Sequence, residues 1–68
     1  MREIIFLVEE GADGGFTARA YKDSIFTEGD DLDQLRTNVR NAVNCHFDER
    51  TIPERIRLHF VREELISL

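Results

Sequence analysis

The stretch GGFTARAYKDSIFTEGDDLDQLRTNVRNAV, from Gly14 to Val43, decides how the rest of the chain must be arranged. It opens on a glycine pair, runs through two short alternating segments, and passes by a Gly-Asp-Asp step into a long helical pattern. In residues 16–21, Phe16, Ala18 and Ala20 alternate with Thr17, Arg19 and Tyr21, the period of a half-buried strand. Lys22-Asp23 reads as a tight turn, and residues 24–28 (SIFTE) as a further short strand that Gly29 ends. Asp31 then fits a helix N-cap, with Gln34 three residues on completing a capping box, and Asp30 and Asp33 place negative charge where the helix dipole favours it. Leu32, Leu35, Val39, Ala42, Val43, His46 and Phe47 recur at intervals of three and four and trace one helical face. Arg36, Thr37, Arg40, Asn41 and Asn44 form the polar face, so the spacing predicts a helix over 32–48.

Working outward, residues 2–9 (REIIFLVE) are apolar on both faces, Ile4, Phe6 and Val8 on one and Ile5 and Leu7 on the other, as expected of a central strand. EGADGG then supplies a turn with positions suited to positive φ. On the far side, Pro53 prevents the helix from running on. In RIRLHFVRE, Ile56, Leu58 and Phe60 alternate with Arg57, His59 and Val61, a last strand that the apolar ELISL segment extends or leaves to dock elsewhere. The expected fold is α+β: a single two-layer β-β-β-α-β domain over residues 1–68, its antiparallel sheet in the order 4-1-2-3 with one helix packed on one face. The helix side would bury Ile4, Phe6, Val8, Phe16, Ala18, Ala20, Ile56, Leu58 and Phe60. The opposite face would leave Ile5, Leu7, Tyr21 and Val61 together with no helix to cover them, and contiguous apolar patches of that kind mark interfaces. With the apolar residues Leu65, Ile66 and Leu68, they point to a homodimer or higher oligomer.

A chain of 68 residues buries only about 60% of the surface its unfolded form exposes, so its core is small. Its single cysteine, Cys45, excludes an internal disulfide and is expected of a reducing, cytoplasmic home. The apolar run Ile4–Val8 is too short for a signal-peptide core or a membrane span. With 14 acidic against 9 basic residues and a formal net charge of −5, the chain repels phosphate backbones, so direct nucleic-acid binding is not expected. The same charge attracts a basic protein. The acidic residues around the helix start, Glu28, Asp30, Asp31 and Asp33, are the candidate docking patch for such a partner.

No catalytic, metal-binding or cofactor set emerges. Cys45 and His46 are adjacent on a helix, so their side chains diverge, and the strand period puts His59 on the sheet face away from the helix. One cysteine and two histidines fall short of a structural zinc set. GADGG lacks the spacing of a phosphate loop, and the paired acids Glu9-Glu10, Asp30-Asp31 and Glu63-Glu64 fall at element ends.

The segments GGFTARAY, SIFTEGDD and LDQLRTNVRNAVNCHF resemble the core of the HicB-like antitoxin family: a glycine-aromatic second strand, a third strand ending in a polar-Gly-Asp step, then an amphipathic helix. The resemblance covers roughly residues 3–62. It implies a β-β-β-α-β domain with no enzymatic activity of its own that binds and blocks a small basic mRNA-cleaving toxin of the HicA type. The segment between the second and third strands, longer in that family, is reduced here to KDS, and no DNA-binding segment follows within the chain, so direct autoregulation is not expected. Short proteins sharing EIIFLVEE, CHFDE and IRLHFVR look still more alike, and some carry the label of a 2-oxoisovalerate dehydrogenase subunit. A thiamine-dependent subunit is several times longer, and no cofactor motif is present here. The alternative to the antitoxin reading is a stand-alone homo-oligomeric domain with no toxin partner.

Overall fold

The computed structural model describes residues 2–68. Its elements are strand β1 (Glu3–Glu10), strand β2 (Phe16–Ala20), strand β3 (Phe26–Gly29), helix α1 (Leu32–His46) and strand β4 (Arg55–Val61). The sheet order is β3-β2-β1-β4, the expected order read from the other edge, with β1 internal. β1, β2 and β3 form the expected antiparallel meander. β4 runs parallel to β1, so the sheet is mixed rather than antiparallel throughout. The cause is the helix: a chain that leaves one edge strand, crosses the sheet in a helix and returns at the other edge arrives in the parallel sense.

The β1–β2 connection is built from local hydrogen bonds. Gly11 N–H donates to the Gly15 carbonyl at 2.6 Å and Gly14 N–H to that of Gly11 at 3.1 Å, while the Asp13 carboxylate accepts from Gly15 N–H. Gly14 sits at φ +92°, a conformation open to glycine and strained for other residues. The helix starts as its sequence requires. Asp31 Oδ1 accepts from Gln34 N–H at 2.8 Å, and Gln34 Oε1 accepts from Asp30 N–H at 2.7 Å. The capping box is closed, although its return bond lands one residue before the cap. α1 ends at His46, two residues short of the expected limit, because Phe47 turns to extended backbone as C-cap. The following Asp48 carboxylate accepts from the backbone N–H groups of Arg50 and Thr51, holding the turn into β4.

The core holds Ile4, Phe6, Val8, Ala18, Ala20, Ile25, Leu35, Val39 and Val43, with no buried polar side chain among the described residues. Phe16, Leu32, Ala42, Phe47, Ile52, Ile56 and Leu58 pack around it, half-buried. Two expectations are corrected. His46 is exposed at the last helical turn rather than part of the apolar face. Phe60, expected in the core, is 48% exposed. It stands opposite Val8 near the end of the parallel pair, where the helix, packed over β2 and β3, does not reach. Ile25, not assigned to the core from sequence, is buried there; its backbone pairs with Ala20 just before β3 begins.

Candidate functional site

The strand period sorts every side chain of the sheet to one side or the other. Away from the helix, Leu7 lies between Arg19 of β2 and His59 of β4, and Arg19 stands opposite Phe26 of β3. Ile5 lies beside Arg57, and Glu9 between Thr17 and Val61. Just past β2, Tyr21 N–H donates to the Ile5 carbonyl at 3.0 Å, so its ring reaches the same face. The structure thus brings Ile5, Leu7, Tyr21 and Val61 onto one surface. Ile5 and Leu7 are half-buried between strands, while Tyr21 and Val61 are exposed at 54% and 41%. Phe26, 62% exposed, joins them and was not singled out from sequence. The signal was present, since Ile25 and Phe26 are adjacent and must point to opposite faces. Which of the two goes inside was decided by the β2–β3 turn, longer than two residues, with Ala20 N–H donating to the Ile25 carbonyl.

Polar pairs are interleaved with these apolar residues. The Tyr21 hydroxyl and His59 Nδ1 are 3.1 Å apart, with their rings edge to face. The Arg57 guanidinium forks onto the Glu3 carboxylate through Nε and Nη2, and Arg19 stands 3.9 Å from Glu9. The Arg57 bond, more than the charge itself, holds the Glu3 carboxyl below its ordinary range and raises Arg57 above its own. The Arg57 side chain is more than half exposed and that of Glu3 partly so, so solvent screens the pair and this clip orients side chains more than it stabilises the fold. The face thus combines aromatic and aliphatic area with paired charges, Arg19 standing between Leu7 and Phe26 and Arg57 beside Ile5.

The four acidic residues of the candidate docking patch do not act as one group. Asp31 is occupied in capping α1, and Asp33 accepts from Arg36 at 3.0 Å. Glu28 and Asp30 keep exposed side chains, and Glu28 shares its face with the open-sheet residues, across from Thr17. The Glu28 carbonyl accepts from Asn38 Nδ2 at 2.7 Å, which ties the patch to the helix. A shallow cleft of about 390 Å³ lies here, floored by Phe16 and Gly29 and edged by Asp13, Glu28 and Asp30. Cys45 is exposed on α1, and the His46 ring packs edge-on against Phe47. His59 belongs to the other side of the sheet, beside Tyr21. Among the described residues, no group of three or more His, Cys, Asp and Glu side chains is placed to hold a metal ion, and no helix is long and apolar enough to cross a membrane.

Comparison with known proteins places this geometry in a family. No family-wide sequence profile matches the chain, and no solved structure does. A UPF0150 protein of Thermotoga maritima is 37% identical over 67 residues, spanning 98% of this chain and 94% of its own. A UPF0150 protein of Archaeoglobus fulgidus is 51% identical over 51 residues, or 75% of this chain and 76% of its own. With one relative aligned over nearly its whole length, the chain belongs to the UPF0150 family.

Proposed function

We propose that this chain is a non-enzymatic protein-binding domain that resembles a HicB-type antitoxin. Its open sheet face meets a second copy of the chain, and its acidic rim meets a small basic mRNA-cleaving ribonuclease of the HicA type. The observation that carries the reading is the sheet face itself: Ile5, Leu7, Tyr21, Phe26 and Val61 lie together with no layer over them. A twofold arrangement covers such a face with its own copy, the commonest solution in oligomers. At the rim, Glu28 and Asp30 remain available to a cationic partner, while Asp31 and Asp33 contribute their field from the helix start.

The test has two arms. Light scattering at micromolar concentration should give a mass above 7.9 kDa, and Leu7→Glu should reduce it, because a charge placed mid-face cannot be covered. Co-expression with a basic HicA-like ribonuclease should rescue growth, and Glu28→Lys with Asp30→Lys should abolish rescue without altering the circular dichroism spectrum. Equal rescue by wild type and double-lysine variant discards the docking patch. No rescue by either, with the oligomer intact, leaves a stand-alone homo-oligomeric domain as the function.

A further inference from the structure

The parallel register carries the chain off the end of its own sheet. Val61 lies opposite Glu9, and β1 ends at Glu10, where the chain turns at Gly11. From Arg62 onward, the described residues offer no strand of the same molecule to pair with. Leu65 is 97% exposed, Ile66 75%, and Leu68 wholly so. The molecule measures 53 × 21 × 18 Å with a radius of gyration of 13.4 Å, against about 11 Å for a compact domain of this length. A strand of the length of β1 spans only about 27 Å, so the long axis is that of residues 62–68 projecting as an arm. Leu65 and the root of this arm also wall a groove of about 860 Å³ against the β1–β2 turn, with Phe60 at its base. Beside the arm, β4 pairs with β1 alone, so its outer backbone edge is open.

We propose that residues 58–68 form a self-complementary arm that pairs antiparallel with the same segment of a second copy, about a twofold axis at Glu63. A twofold axis perpendicular to the sheet keeps each side chain on its own face, so only whole-residue shifts of the axis need comparing. With the axis at Glu63, Ile66 stands opposite the partner's Phe60, Leu68 opposite the partner's Leu58, Leu65 opposite the partner's Val61, and Glu64 opposite the partner's Arg62. Every exposed apolar residue of the arm meets an apolar residue and the arm's one cation meets an anion, each twice by symmetry, while Ser67 meets the partner's His59 and the two Glu63 carboxylates face each other at the axis, the one like-charge contact of this register. Moving the axis to Arg62 sets arginine on arginine, Glu64 on Phe60 and Glu63 on Val61. Moving it to Glu64 sets Ile66 on Arg62 and Leu65 on Glu63. Apolar pairs and opposite charges set across from one another stabilise a strand pair, and like charges destabilise it; the axis at Glu63 has a single like-charge contact and no apolar residue set on a charge, whereas both neighbouring registers have each, so the sequence selects this one. The product is a single sheet twice as wide with both helices on the same side. This contact runs along the sheet edge and leaves the open face uncovered.

Cysteine cross-linking decides the register. In a Cys45→Ser background, Glu63→Cys places two thiols opposite each other at the axis, within disulfide reach, and oxidised glutathione should convert most of the chain to a covalent dimer. Leu65→Cys, whose two copies stand about 13 Å apart along the pair, should cross-link at least tenfold more slowly. Arg62→Glu alone should lower the mass and the Glu63→Cys cross-linking rate, and Arg62→Glu with Glu64→Arg should restore both. Equal rates at 63 and 65, or no covalent dimer at 63, would overturn the proposal, as would a double swap that fails to rescue. Leu7→Glu separates this contact from the open-face one. It should leave Glu63 cross-linking unchanged even where it halves the mass, and loss of cross-linking in that variant would show that the arms do not pair by themselves. All these positions lie outside the core, and all but the half-buried Leu7 are exposed, so an unchanged circular dichroism spectrum confirms that the fold survives.

Discussion

The two flanks of the sheet are built on different terms. On the β2–β3 flank the helix lies directly against the strands. Leu35 is fully buried and Val39 and Val43 nearly so, and Gly29 approaches the helix backbone so closely that an added Cβ would stand 2.5 Å from Leu35 N. On the β4 flank Ile56 and Leu58 are only half-buried although they stand beside the buried Ile4 and Phe6, Phe60 is half exposed beside Val8, and the chain leaves the sheet altogether at Arg62. One flank is closed by its own helix, while the other presents apolar surface and an open edge. A small domain of this build concentrates its stability on one side and leaves the other less covered.

If the helix flank carries the fold, Leu35→Ala should be the most damaging change, at about 2–5 kcal/mol. That is a large part of the roughly 5–15 kcal/mol a domain has, and denaturant unfolding should show it as a partly unfolded population in water. Gly29→Ala should come next at about 1–3 kcal/mol, because its methyl meets backbone, which has no rotamer to yield. Asp31→Ala should cost about 0.5–2 kcal/mol through loss of the cap, with Asp31→Asn close to wild type. On the other flank, Phe60→Ala should cost about 1 kcal/mol or less at dilutions where the chain is monomeric. The loss should grow with protein concentration where the arms pair, and a concentration-independent loss would erase the contrast between the flanks.

Acid sharpens the same contrast. The Asp48 carboxyl is held below its ordinary value of 3.8, chiefly by the Arg50 N–H and then by Thr51, and Glu3 below 4.5, chiefly by Arg57. A depressed carboxylate stabilises the fold above its unfolded value and loses that contribution as pH falls through its folded one. Both groups serve β4: Asp48 shapes the turn leading to it, and Glu3 clips it to β1. Below about pH 4, amide exchange should therefore accelerate at Ile56–Phe60 before Val39–Val43. Asp48→Asn should flatten that acid dependence, and simultaneous loss of protection in both segments would show a single cooperative unit.

Local pattern reached far into this fold. The capping box at Asp31 and Gln34, the apolar stripe through Leu35, Val39 and Val43, and the two-sided hydrophobicity of β1 each follow from short-range physics, and together they yield the strand order. The open face was legible in Ile5, Leu7, Tyr21 and Val61, because a strand cannot hide both its sides under one helix. Phe26 and Phe60 were not legible in the same way. Their exposure depends on which residue a turn admits to the inside and on where along the sheet the helix lies.

By itself, then, the sequence determined the elements, their caps, the order of the strands and the existence of an uncovered apolar face, all properties of periodicity and of residues within a few positions of one another. Only the tertiary structure decided the parallel sense of β4, the register that sets Val61 against Glu9, the helix's position over β2 and β3, and the projection of residues 62–68. These depend on how distant segments meet. A register one step away leaves the local pattern of each strand unchanged, but moves where the chain runs out of partners.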